Sequence, residues 1–159
     1  MNLTYLLIGG NLGNRLENLQ QAREWIGAEA GPIVSASSIY ETAAWGKTDQ
    51  PAFLNQVLLV QTQFPPQPLL EKILSIEQLM GRQRMEKLGP RLIDIDILFF
   101  NESIVDAPGL SIPHPQLHLR RFTMEPLNEI APDYIHPVFH KTIAELLREC
   151  PDLLAVKKL

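Results

Sequence analysis

Leu92-Ile93-Asp94-Ile95-Asp96-Ile97-Leu98-Phe99-Phe100 is the most strand-like run of this 159-residue chain, and two carboxylates interrupt it. Side chains alternate across a strand, so Ile93, Ile95 and Ile97 share one face while Leu92, Asp94, Asp96 and Leu98 share the other. Carboxylates at i and i+2 stand about 7 Å apart along a strand and point the same way. Apolar neighbours on their own face imply partial burial, where two like charges are unfavourable unless a cation lies between them. Hard divalent ions such as Mg²⁺ take oxygen ligands, commonly one or two carboxylates plus substrate phosphates. Asp94 and Asp96 therefore read as a metal pair; a solvated edge strand or a salt-bridged pair is the plain alternative.

Upstream of that strand the elements alternate. Leu3 to Ile8 is a short apolar strand stopped by Gly9-Gly10. Asn14, with Glu17 three residues on, opens a helix whose stripe is Leu16, Leu19, Ala22 and Ile26, closed by Gly27 and Gly31-Pro32. Ile33 to Thr42 and Phe53 to Gln63 read as two strands around a loop, and Pro65-Pro66 ends the second. Leu69 to Met80, with Pro68 in its first turn, reads as an amphipathic helix stopped by Gly81. The order β-α-β-β-α-β is the split arrangement of ferredoxin-like folds, here an α+β antiparallel sheet with helices packed on it. The tail adds a Pro-rich loop and extra C-terminal helices, one near Phe122 to Ile130 and one opened by the capping box Thr142/Glu145. With no repeat or linker, residues 1–159 are expected to form a single domain.

Directly before the aspartate strand, Gly81 to Arg91 carries Arg82, Arg84, Lys87 and Arg91 against Glu86 alone. Planar guanidinium forks suit phosphate, and a mobile loop could close them over a polyphosphate; a merely soluble loop is the alternative. Glu77 falls within the apolar stripe of Leu70, Ile73, Leu74 and Met80, where a carboxylate needs a partner, either a ribose hydroxyl or a neighbouring arginine. Phe53 and Asn55 share a strand face near Thr42 and Trp45, and an amide between flat rings can read the edge of a heterocycle; such aromatics are as readily core.

Other signals lead elsewhere. Gly46-Lys47-Thr48 lacks the glycine five residues earlier that a P-loop requires, since Glu41 stands there. His114/His118 and His136/His140 have helical spacing, but Pro115 and Pro137 lie inside the pairs and no HExxH glutamate is present, so zinc is not expected. His114 fits better as a donor to phosphate. The net charge of −4 argues against nucleic acid, and the basic island within it suggests a small anionic ligand. One cysteine, Cys150, allows no internal disulfide, and neither a membrane span nor a signal peptide is visible; a cytoplasmic enzyme with no obligate protein partner is expected.

The run Lys87-Leu88-Gly89-Pro90-Arg91-Leu92-Ile93-Asp94-Ile95-Asp96-Ile97-Leu98 resembles, almost position for position, the signature of the 6-hydroxymethyl-7,8-dihydropterin pyrophosphokinases of folate synthesis. Ile8-Gly9-Gly10-Asn11-Leu12-Gly13, Ser38 to Thr42, Asp49-Gln50-Pro51 with Phe53-Leu54-Asn55, and Pro113-His114-Pro115 through Arg120 and Phe122 agree in order and spacing, covering Leu3 to about Leu147. The resemblance implies transfer of pyrophosphate from MgATP to a pterin hydroxymethyl group, with release of AMP. It implies that Asp94 and Asp96 bridge two Mg²⁺ ions. It places Glu77, Arg84, Arg91, Ile97, His114 and Arg120 on ATP, with Arg82 and Arg91 assisting transfer; it names no general base, and Asp96 is our own candidate for that role. Thr42, Ala43 and Asn55 would hold the pterin edge, and Trp45, Phe53 and Phe122 its walls and floor. This chain departs from the pattern at Ala43-Ala44, where prolines are common, at Leu88, where an aromatic is common, and at Leu92, where threonine is common. The rival readings are a palm-type two-metal nucleotide-transfer enzyme, which would need a basic template groove, and a non-catalytic nucleotide-binding module.

Overall fold

The computed structural model describes residues 1–43, 50–81 and 92–159. Strand β1 (Asn2–Gly10) lies between two antiparallel neighbours, β4 (Phe53–Thr62) and β5 (Asp94–Phe100). On the far side of β4 lie β2 (Ile33–Ala36) and β3 (Tyr40–Thr42), and β3 pairs in turn with β8 (Val156–Lys158). The path across the sheet is β5-β1-β4-β3-β8, with every pairing antiparallel.

Both faces of this sheet are covered, and strand parity decides which residue goes where. Leu6, Ile8, Leu54, Leu58, Ile93, Ile95 and Ile97 pack under α1 (Arg15–Glu29) and α2 (Pro66–Leu79). On the opposite face, Leu7, Val57, Leu98 and Phe99 meet α3 (Arg121–Ile130) and α4 (Ile143–Arg148) through Met124, Leu127, Ile143 and Leu146. A register shift between β1 and β5 lies after Tyr5, and it inverts the alternation. Leu98 and Phe99 therefore face the same core, while Phe100 returns to the face of Ile97.

The caps follow the sequence. Asn14 accepts the Glu17 N–H at 3.1 Å, and Thr142 and Glu145 form a reciprocal capping box. Cys150 is buried just past α4.

Several expectations are corrected. Ile33 to Thr42 is two strands, because Ser37 replaces ladder contacts: its hydroxyl accepts the Val57 N–H at 3.0 Å, and its carbonyl accepts the Gln56 amide at 2.7 Å. Leu16 is 55% exposed and leaves the stripe to Leu19, Ala22 and Ile26, and α1 runs through Gly27. Helix α2 starts three residues before Leu69, at Pro66, whose missing N–H costs nothing in a first turn. Leu74 points outward, so the buried stripe of α2 is Leu69, Ile73, Ile76 and Glu77. The Pro-rich loop contains a hairpin, β6 (Val105–Ala107) and β7 (Leu110–Ile112), turned by Pro108-Gly109 with Gly109 at φ 74°. Strand β8 was not expected at all. No helix among the described residues is long and apolar enough to cross a membrane.

Candidate active site

The helices on the α3/α4 face leave one end of the sheet uncovered by apolar contacts, and the polar residues collect there. Cross-strand partners on that face form rows. Asp94 on β5 pairs with Gly9 on β1, Gly9 pairs with Asn55 on β4, and Asn55 pairs with Tyr40 on β3. One step along, Asp96 pairs with Leu7 and Leu7 with Val57. On the other side of the Asn55 row, Thr42 pairs with Phe53. Strands lie about 4.8 Å apart, so Asn55 and Asp94 are separated by about 10 Å, with only a glycine between them.

That glycine is a spatial requirement. Gly9 has no positive φ, so its conformational freedom is unused. A Cβ built there would collide with Oδ1 of Asn55 and come within 2.8 Å of the Leu54 carbonyl. Asn55 is 5% exposed, and its amide has no hydrogen-bond partner among the described residues. Such an amide can offer a ligand both a donor and an acceptor. The Gly9-Gly10 pair thus marks close approach inside a strand rather than the end of one, a reading open to any glycine in a strand pattern.

Asp94 and Asp96 are both half-buried and face the same side of β5. No third His, Cys, Asp or Glu converges with them among the described residues. Two hard oxygen donors with the remaining positions left for phosphate and water is a donor set that fits Mg²⁺.

Glu77 is 4% exposed, and its Oε2 accepts the Ile95 N–H at 2.7 Å. The partner that a buried carboxylate demanded thus includes a backbone donor on the outer edge of β5, an option not weighed from sequence. Ile97 points its side chain into the α1/α2 core, leaving its backbone on that edge to meet a ligand.

Beyond Asp96 the chain returns to the same strand. His114 donates its backbone N–H to the Leu98 carbonyl at 3.0 Å, and its Nδ1 accepts the Gln116 N–H at 3.2 Å. Burial, and secondarily the Arg120 guanidinium, push its pKa down to about 4. A neutral ring with Nδ1 occupied as acceptor carries its proton on Nε2, ready to donate. Arg120 donates to Gln116 at 2.5 Å and lies 5.7 Å from the Phe122 ring. His114, Arg120 and Phe122 therefore form one group between the end of β5 and the start of α3.

Thr42 is buried, and its hydroxyl donates to the Ala155 carbonyl at 3.0 Å; Ala43 beside it is exposed. Phe53 is half-buried. Trp45, Arg82, Arg84 and Arg91, together with the lid expected over 83–90, lie outside the described residues.

The structure adds supports that the sequence did not single out. Asn11, 2% exposed, donates to the Pro51 carbonyl at 3.0 Å and to Gln50 at 3.3 Å. Arg15 bridges Glu41 at 2.7 Å and the Ala52 carbonyl at 2.9 Å, joining the ends of β3 and β4 to the start of α1. His136 lies elsewhere, stacked on Phe139 with centroids 4.4 Å apart, its Nδ1 accepting the N–H groups of Val138 and Phe139.

Known proteins resemble this chain in sequence and in fold. Residues 5–132 match the model of the 7,8-dihydro-6-hydroxymethylpterin-pyrophosphokinase family. A protein of Aquifex aeolicus named 2-amino-4-hydroxy-6-hydroxymethyldihydropteridine pyrophosphokinase is 41% identical over 94% of this chain and 92% of its own length. One of the same name from Synechocystis is 40% identical over 89% of this chain and 73% of its own. Among solved structures, a Plasmodium falciparum HPPK-DHPS superposes with a TM-score of 0.77 at 21% identity. It covers 93% of this chain, which spans 44% of that longer protein, and the likeness establishes the fold alone. A family match over most of the sequence and two relatives about 40% identical, covered over 92% and 73% of their own lengths, leave one conclusion: the chain belongs to the 7,8-dihydro-6-hydroxymethylpterin-pyrophosphokinase family.

Proposed function

We propose that this chain transfers the β,γ-pyrophosphate of MgATP to the hydroxymethyl group of 6-hydroxymethyl-7,8-dihydropterin, releasing AMP in folate biosynthesis. One observation carries the reading: Asn55, an amide that is buried and has no hydrogen-bond partner among the described residues, and Asp94, a carboxylate suited to a hard cation, flank Gly9 in a single cross-strand row. A heterocycle read by Asn55 on that face extends over Gly9 toward the polyphosphate end. We read the strand order as the ferredoxin-like arrangement and the compartment as the cytoplasm.

In this mechanism the pterin oxygen forms a bond to the β-phosphorus, and the bond from that phosphorus to the α,β-bridging oxygen breaks. The bridging oxygen leaves with AMP, and Asp96 is the group assigned to take the hydroxymethyl proton. Mg²⁺ held by Asp94 and Asp96 would neutralise charge on the polyphosphate. The protein's own contribution is positioning and electrostatics, since phosphoryl-type transfer needs little covalent help. Neutral His114 donates from Nε2, and Arg120 supplies a fixed charge beside it. Arg82, Arg84 and Arg91 are assigned to the polyphosphate, Arg82 and Arg91 chiefly during transfer. Glu77 and the Ile97 backbone face the nucleoside end along the edge of β5. Thr42, Ala43 and Asn55 take the pterin edge, with Trp45, Phe53 and Phe122 on its faces.

Incubation with ATP, Mg²⁺ and hydroxymethyldihydropterin tests the proposal directly. AMP and the pterin diphosphate should form in equal amounts. Stoichiometric ADP, or hydrolysis indifferent to the pterin, would refute it.

A further inference from the structure

The two sides of the proposed pterin slot belong to elements far apart in sequence. Thr42 ends β3, and Phe122 is the second residue of α3. Neither element fixes its own end. The N-cap residue of α3, Arg120, supplies no side-chain cap. Strand β3 is three residues long.

The segment from Cys150 onward completes both. Asp152 Oδ2 accepts the N–H of Arg121, the first residue of α3, at 3.0 Å, so a distant carboxylate does the capping. The Asp152 carbonyl accepts Nε of Arg121 at 2.8 Å, and Asp152 Oδ1 accepts the Leu154 N–H at 3.0 Å, which fixes the turn. Directly after that turn the Ala155 carbonyl accepts the Thr42 hydroxyl. Val156, Lys157 and Lys158 then pair with Thr42, Glu41 and Tyr40, and the Leu159 N–H donates to the Ile39 carbonyl at 2.9 Å. A second link runs parallel: Glu129 of α3 accepts the Tyr40 hydroxyl at 2.7 Å and the Ser38 N–H at 3.0 Å, with the Lys158 ammonium 4.0 Å away.

We infer that residues 152–158 act as a strap that sets the spacing between Thr42 and Phe122, making Asp152 and strand β8 positioning elements for the pterin and not for ATP. The inference rests on the reading that Thr42 and Phe122 hold the pterin. It follows from the geometry that loosening the strap widens one slot and leaves the β5 edge, where Asp94, Asp96 and Glu77 stand, untouched.

Three variants test it: Asp152→Ala, Asp152→Asn and Lys157→Pro, the last removing the ladder donor opposite Glu41. Asn55→Ala serves as the reference for direct loss of pterin contact. Asp152→Ala and Lys157→Pro should each raise KM for the pterin by about tenfold while KM for ATP stays within about twofold, because misplacing a positioning group selectively weakens what it aligns. Asp152→Asn keeps acceptor oxygens and should recover most of the loss. A role in stability alone would lower the melting temperature and leave the ratio of the two KM values unchanged, and that result overturns the strap. If Lys157→Pro does not fold, Asp152→Ala, at a half-exposed site, decides by the same ratio. An unchanged pterin KM in the strap variants, alongside a raised one in Asn55→Ala, refutes the strap alone. An unchanged pterin KM in Asn55→Ala removes the slot itself, and the strap with it.

Discussion

Replacing Gly9 with alanine puts a methyl group into space already filled by the Asn55 amide. The new carbon collides with Oδ1, sits 3.1 Å from Cγ of Asn55, and is 2.8 Å from the Leu54 carbonyl oxygen. The amide can swing away, but the carbonyl belongs to the backbone of β4 and can move only with the strand. Overpacking of this kind costs about 1–3 kcal/mol. At roughly 2–4 °C per kcal/mol for a chain of this size, a loss near the middle of that range lowers the melting temperature by about 4–8 °C. The larger effect is on the substrate. If the displaced amide no longer meets the pterin edge, two hydrogen bonds of about 1 kcal/mol each are lost. That corresponds to about a 30-fold drop in kcat/KM for the pterin. Thermal melts and separate titrations of pterin and ATP would measure both. A Gly9→Ala variant with the parent's melting point and the parent's pterin KM would show that Asn55 does not lie over Gly9. The row from Asp94 to Asn55 would then have no functional meaning.

Further outcomes follow from single contacts. Asp94→Asn and Asp96→Asn should each reduce turnover by about 10²-fold or more with the fold intact by circular dichroism, since each removes a charge facing the cation; near-normal turnover would end the metal assignment. Glu77→Leu should lose about 1–3 kcal/mol of stability in denaturant titrations, because the Ile95 N–H inside the protein loses its acceptor; Glu77→Gln, which keeps an acceptor, should lose far less. His136 is 2% exposed, and burial, then His118 and His140, hold its pKa down to about 4. The unfolded chain therefore binds the proton more readily. This stability contribution is intact above pH 6.5 and lost as the pH falls through about 4. Unfolding curves at pH 7.5, 6 and 5 should show the decline, and a His136→Phe variant should show a shallower one; equal slopes would refute the assignment.

The fold was legible where physics acts over short distances. The alternation of Ile93, Ile95 and Ile97 against Asp94 and Asp96 placed three residues in one core and two carboxylates on the other face, as the structure has them. The cap at Asn14 and the capping box at Thr142 are decided within one helical turn. The misses share a cause: each depends on what a residue meets after folding. Ser37 breaks a strand because a hydroxyl and a carbonyl can take contacts from Gln56 and Val57, about twenty positions away. Leu16 and Leu74 continue a helical pattern and still face outward, 55% and 46% exposed. Only the Pro108-Gly109 hairpin was within reach of local reading, since that dipeptide is a turn signal in its own right.

The candidate site shows the same division with greater consequence. Individual residue types announced chemistry: paired carboxylates for a cation, an amide for a heterocycle, a glutamate within an apolar stripe. What joins them could not be announced, because the joining residue is defined by having no side chain. Gly9 lies between Asp94 and Asn55 only once β1 has paired with both neighbours, and until then it is indistinguishable from a turn glycine. Asp152 and β8 are harder still. Thr42 and Ala155 are 113 positions apart, and a three-residue strand has almost no intrinsic preference to read. Its order comes from the partner strand, so pairing must precede it. An active site assembled on an antiparallel sheet therefore places its chemistry in local patterns and its geometry in long-range pairs. Substitutions at Gly9 and Asp152, which bear none of the chemistry, should accordingly change substrate discrimination more than their side chains suggest.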